Sequence, residues 1–133
     1  MNSCFFQSLN RFQYGLVNQT NLIKCESTSF GLQFFNKLLQ ENLIASVSST
    51  KNLQTQKLYL TLYYKYTPKT FFLKRLIIYS TPSRKIYKTY DQIVFLKKNV
   101  IGGIFFFSTM FGILTDSELL QKKIGGILIC YIV

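Results

Sequence analysis

The sequence predicts an α+β protein of two small α/β domains, the first αβαββ-like and the second mostly antiparallel β with short helices. Three observations carry that expectation. Apolar residues recur at spacings of three and four over residues 5–16 and 30–39, as on one buried face of a helix. Leucines alternate with other residues in K-L-Y-L-T-L-Y-Y-K, residues 57–65, which is the period of a half-buried strand. Beyond Thr67-Pro68-Lys69 come short apolar runs, separated by Pro82 and by the pairs Gly102-Gly103 and Gly125-Gly126. A proline forfeits a ladder hydrogen bond and restricts the residue before it, so the domain boundary is placed there, giving domains 1–67 and 68–133.

The first helix sets Phe5, Leu9, Phe12 and Leu16 on one face and projects Arg11 from another. Leu22, Ile23 and Cys25 read as a short strand. Ser27, Thr28 and Ser29 offer helix starts ahead of Phe30, Phe34, Phe35, Leu38 and Leu39, and Asn42 suits a left-handed helix end. A strand over 43–47 and a polar turn over 48–56 then lead into the alternating strand. In the second half a strand over 71–79 runs to the turn at Pro82. Asp91 is expected to cap a helix through Lys98. A strand over 104–107, anchored by Ile104 and Phe106, precedes a loop over 108–112. After a short strand Asp116 caps a helix over 117–123, the second glycine pair ends that helix, and residues 127–133 form the last strand.

Lysine and arginine total 16 against five acids, for a net charge of +11 at pH 7, and a polyanion is the natural partner. Arg84, Lys85 and Lys88 interleave with Tyr87 and Tyr90. Cations there neutralise phosphates and aromatics offer stacking faces, although a solvated basic hairpin has the same pattern. The chain has no histidine, which excludes Cys–His and Ser–His catalytic pairs. The acids show no metal-ligand spacing, and neither glycine pair belongs to a nucleotide-binding loop, so no metal, cofactor or small-molecule substrate is expected. Cys4, Cys25 and Cys130 are odd in number and far apart, and read as buried or inert thiols. Residues 100–114 are apolar but fall short of the ~20 that a membrane-spanning helix needs. The N-terminal stretch lacks acids yet carries Arg11 as its one basic residue before Lys24, and is read as mature protein.

From Ser80 onward the chain resembles the small-subunit ribosomal protein S-eight family. That family runs approximately S-x-P-G-x-R-x-Y, a D-E helix, G-L-G-I-x-x-x-S-T-S-K-G-V-M-T-D and G-G-E-x-x-C-Y-V. Here the matching residues are Ser80, Pro82, Lys85 and Tyr87; Asp91; Gly103, Ile104, Ser108, Thr109, Gly112, Thr115 and Asp116; then Gly125, Gly126, Cys130 and Tyr131. Farther back, L-L-Q-E-N-L-I at 38–44 is similar to the family's L-K-E-E-G-F-I. The stretch S-L-N-R-F-Q-Y-G is similar to M-L-T-R-I-R-N-G, and Arg11 matches the first family arginine. The resemblance covers essentially the whole chain.

It implies a two-domain, non-catalytic protein of the small ribosomal subunit that binds the central domain of small-subunit rRNA beside neighbouring small-subunit proteins. Its Ser-Thr-Ser loop would contact an irregular RNA helix. Carried over by position, the RNA-binding residues are Ser108, Thr109, Met110, Gly112, Tyr87, Lys85, Arg84 and Arg11. Met110 stands where the family has its third loop serine, Phe111 replaces the next basic residue, and Ile127 replaces the glutamate after the glycine pair. One hydrogen bond and one phosphate contact are therefore expected to be missing. The chain is rich in Phe, Tyr, Ile, Asn, Leu and Lys and has Ala45 as its one alanine. That usage follows A- and T-rich codons, as in organelle genomes, and favours the mitochondrion over a plastid. The competing expectation is a small hydrophobic membrane-associated organellar subunit, motivated by the Phe-rich runs. A small enzyme is a third.

Overall fold

A computed structural model describes residues 3–18, 22–26, 28–44, 46–51, 56–61, 75–100 and 102–133. The chain divides into two compact units, Met1–Arg75 and Leu76–Val133. The boundary expected at 67/68 falls among residues outside this description.

The first unit has the order α1 (Ser3–Val17), β1 (Leu22–Glu26), α2 (Ser29–Gln40), β2 (Ser46–Lys51), β3 (Gln56–Thr61). Its antiparallel sheet has the order β1-β3-β2, so the last strand fills the centre and pairs Cys25 with Leu58 on one side and Val47 with Leu60 on the other. Phe5, Leu9, Phe12 and Leu16 are all buried, as their spacing predicts, and Arg11 is exposed. Each such side chain contributes about 1.5–3 kcal/mol on burial. Phe5 meets the rings of Phe30 and Phe34 edge-on at centroid distances of 4.6 and 5.4 Å, which joins α1 to α2. The Thr28 side chain caps α2 by accepting from Gly31 N at 3.0 Å. Asn42, at φ 58°, ends that helix in the left-handed conformation, and Leu43 N donates back to Leu38 O at 3.0 Å.

Two expectations shift here. Leu39 is partly exposed at the rim of α2 rather than buried. Leu43 and Ile44 are buried, but in the turn after α2, and β2 is Ser46–Lys51, which shares only Ser46 and Val47 with the expected strand and runs on through residues expected to be a turn. Cross-strand pairing with β3 overrides the low strand propensity of its serines. Residues 62–65 of the alternating run and 71–74 of the next expected strand lie outside the described residues.

The second unit runs β4 (Leu76–Ile78), β5 (Ile86–Lys88), α3 (Tyr90–Asn99), β6 (Ile104–Thr109), β7 (Gly112–Thr115), α4 (Asp116–Lys122), β8 (Gly126–Ile132). β8 is the spine of an antiparallel five-stranded sheet. One of its edges pairs with β6, which pairs in turn with β7, and the other edge pairs first with β5 and then with β4. The change of partner falls at Ile129. There the β6–β8 register slips between Phe106 and Phe107, and the Ile129 carbonyl turns out to accept from Tyr79 N at 3.0 Å. Phe105, Phe107, Leu114, Leu128 and Tyr131 build the core with Ile93 of α3 and Leu119 of α4. Phe106 is buried as expected, whereas Ile104 is only half-buried.

Both helix starts move by a residue or two from the expected aspartates. Thr89, not Asp91, is the N-cap of α3, and its backbone N–H donates to the Gln92 side chain at 3.0 Å. Thr115 is the N-cap of α4, while Asp116 accepts from Ser117 N at 2.8 Å and meets Lys97 at 3.6 Å. Lys123, at φ 56°, ends α4 before the glycine pair is reached.

Candidate nucleic-acid interface

The stretch expected to be a loop over 108–112 is a tight hairpin. Ser108 and Thr109 belong to β6, Thr109 pairs with Gly112, and Met110 and Phe111 alone form the turn. The Thr109 hydroxyl makes this turn. Its Oγ1 donates to Gly112 O at 2.9 Å and accepts from Phe111 N at 3.1 Å. Gly112 sits at φ 101°, which L side chains rarely adopt, so the turn closes without strain only with glycine there. Ser108 makes no such side-chain bond among the described residues, leaving its hydroxyl free to donate and accept.

Three strands set up a row across the sheet. Ser108 on β6 is opposite Ile127 on β8, and Ile127 is opposite Tyr87 on β5, so these side chains share a face. Tyr87 is 62% exposed. With Thr109, Met110, Phe111, Ile124, Gly125 and Gly126 they line an open cavity of about 540 Å³. The glycine pair shapes its floor. A Cβ on Gly126 would lie 2.9 Å from Thr109 Cγ2 and 3.0 Å from Ser108 O, and one on Gly125 would collide with Lys88 O. The pair is needed for close approach of strands, and not to end a helix.

The structure thus brings Tyr87, Ser108, Thr109 and Met110 together, with Gly112 closing the turn behind them. Arg84 and Lys85 are exposed on the connection between β4 and β5, outside the lining. A pair of backbone bonds between Thr81 and Arg84, of 2.8 and 3.2 Å, closes that connection around Pro82. Arg11 belongs to the first unit and lines a separate hollow with Tyr14, Leu22 and Lys24. Sequence reasoning left Phe111, Gly125, Gly126 and Ile127 out of the site. The glycine pair was the signal available, because a glycine beside a strand marks close backbone approach.

Among the described residues no carboxylate or thiol lines the cavity. Burial pushes the Cys25 thiol up to about 11 and Cys130 higher still, so both are neutral and poor nucleophiles at pH 7. Among the described residues no group of His, Cys, Asp or Glu is placed to hold a metal ion, and no helix is long and apolar enough to cross a membrane.

The family model for Ribosomal protein S8 matches residues 7–133. Among curated relatives, the small ribosomal subunit protein uS8c of Welwitschia mirabilis is 43% identical over 98 residues, covering 71% of each chain. Its counterpart in Phalaenopsis aphrodite subsp. formosana is 35% identical over 120 residues, covering 87% of this chain and 86% of its own. The Spirogyra maxima protein is 28% identical over 133 residues and covers 98% of each. With this match over the α+β fold and its second-unit hairpin, the chain belongs to the ribosomal protein S8 family, whose members are structural and non-enzymatic.

Proposed function

We propose that this chain is a structural constituent of the small subunit of a plastid ribosome. It binds the central domain of small-subunit rRNA directly, supports its folding and assembly, and sits beside neighbouring small-subunit proteins. The observation that carries this reading is the Ser108–Ile127–Tyr87 row, edged by the Thr109–Gly112 turn. A small free hydroxyl, an exposed phenol and glycine-thin backbone let an irregular RNA helix approach closely, which is how proteins read RNA best. Thr109 enters differently from Ser108, since its proton is committed to Gly112 and only acceptor capacity remains for a 2′-hydroxyl. Arg84 and Lys85, exposed on the connection leading into the Tyr87 strand, neutralise phosphates around that contact. The plastid is supported by the relatives, which carry the chloroplast-type designation uS8c. They give no support to the mitochondrion that codon usage favoured.

The test is binding of a central-domain transcript by the wild-type protein and by Ser108→Glu. A carboxylate at the free hydroxyl repels phosphate without touching the turn, and affinity should fall about tenfold or more. Equal affinity would remove the row from the interface. Fractionation gives the compartment. Co-sedimentation with small subunits from plastids supports the assignment, and co-sedimentation only with mitochondrial subunits contradicts it.

A further inference from the structure

Met110 is 90% exposed and Phe111 is 60% exposed at the tip of the β6–β7 hairpin. Phenylalanine is abundant in this chain, with 13 copies, yet among the described residues only Phe95 and Phe111 are exposed. Abundance alone does not place a ring there. Two features set Phe111 apart from Phe95. It lines the cavity of the Ser108–Ile127–Tyr87 row, and the Lys122 ammonium lies over its ring at 4.9 Å from the centroid. The ring is also held in place from behind, because Phe111 N is bound by Thr109 Oγ1 in a turn that Gly112 closes.

From this geometry we propose that Phe111 is a base-stacking platform for one unstacked nucleotide of the small-subunit rRNA. Lys122 holds one ring face and meets the nucleotide's phosphate, and the free face takes the base. This rests on the RNA-binding reading above and adds a mode of contact to it. A cavity of about 540 Å³ beside the ring gives the base room, being within the usual size of small-ligand pockets. Stacking accepts any base, since every base has a π-face, and splayed nucleotides are common in irregular RNA helices. The hydrophobic tip thereby replaces a hydrogen bond and a phosphate contact at 110 and 111 with an aromatic contact and a cation supplied from α4.

The chain has no tryptophan, so Phe111→Trp places a single fluorescent reporter at the tip. Titration with a central-domain transcript of small-subunit rRNA should quench its emission as the base stacks. Phe111→Leu keeps an apolar side chain without a π-face and should bind that transcript about tenfold more weakly, with an unchanged melting temperature. Unchanged emission at saturating RNA, with Phe111→Leu binding like wild type and Ser108→Glu still weakened, overturns the platform and leaves the RNA interface standing. If wild type itself fails to bind the transcript, the RNA-binding reading falls and the platform with it.

Discussion

Ser80 is fully buried because its hydroxyl ties strands together. Its Oγ donates to Leu128 O on β8 and accepts from Ile86 N on β5 at 3.1 Å. Ser80→Ala leaves both backbone groups without that partner and should cost about 1–3 kcal/mol in a urea melt; an unshifted midpoint would contradict the bridging role. Gly126→Ala should cost about the same by overpacking against Thr109 and Ser108 O, and should weaken RNA binding by moving that row. The thiols give a pH signature. Burial raises the folded-state value of Cys25 from 9.0 to about 11, so the folded state keeps a proton that the unfolded state releases. Its stabilisation is complete below pH 9 and is lost as pH rises towards 11. A melting temperature that falls over that window, less so in Cys25→Ala, is the expected result. Ser80 was legible as a motif position, but its bridging role was not, because its partners lie far along the chain.

Among the elements, α1 and α2 were the most legible, since Phe5, Leu9 and Phe12 on one and Phe34, Phe35 and Leu38 on the other mark a buried face by spacing alone. β2 was not legible. Its serines carry no strand signal, and only β3 pairing makes it a strand. The β6–β7 hairpin was half legible. Ser108 and Thr109 stood out as hydroxyls, yet their difference depends on Oγ1 geometry that no spacing encodes. Gly112→Ala tests that turn. The added Cβ has open space around it but a positive φ to hold, so the variant should lose about 1 kcal/mol or more from strain alone. If its stability equals that of wild type, the left-handed residue in the turn is misplaced.

In the whole molecule, composition was the clearest guide to partner class and the poorest guide to compartment. A net charge of +11 pointed to a polyanion, and a ribosomal family answers to that. Codon usage reflects the genome that encodes a protein, and plastid and mitochondrial genomes share the same bias. The unit Leu76–Val133 carries the hairpin, the glycine pair and the Tyr87 strand around one sheet. Its interface should be strongly salt-dependent, with Lys122→Gln reducing the slope of log affinity against log salt by about one. The most direct test is a map of the native small subunit containing this chain. In such a map the turn at Met110 and Phe111 should lie against rRNA of the central domain, with Ser108 and Tyr87 facing the same helix. A turn facing solvent or buried against protein would contradict it.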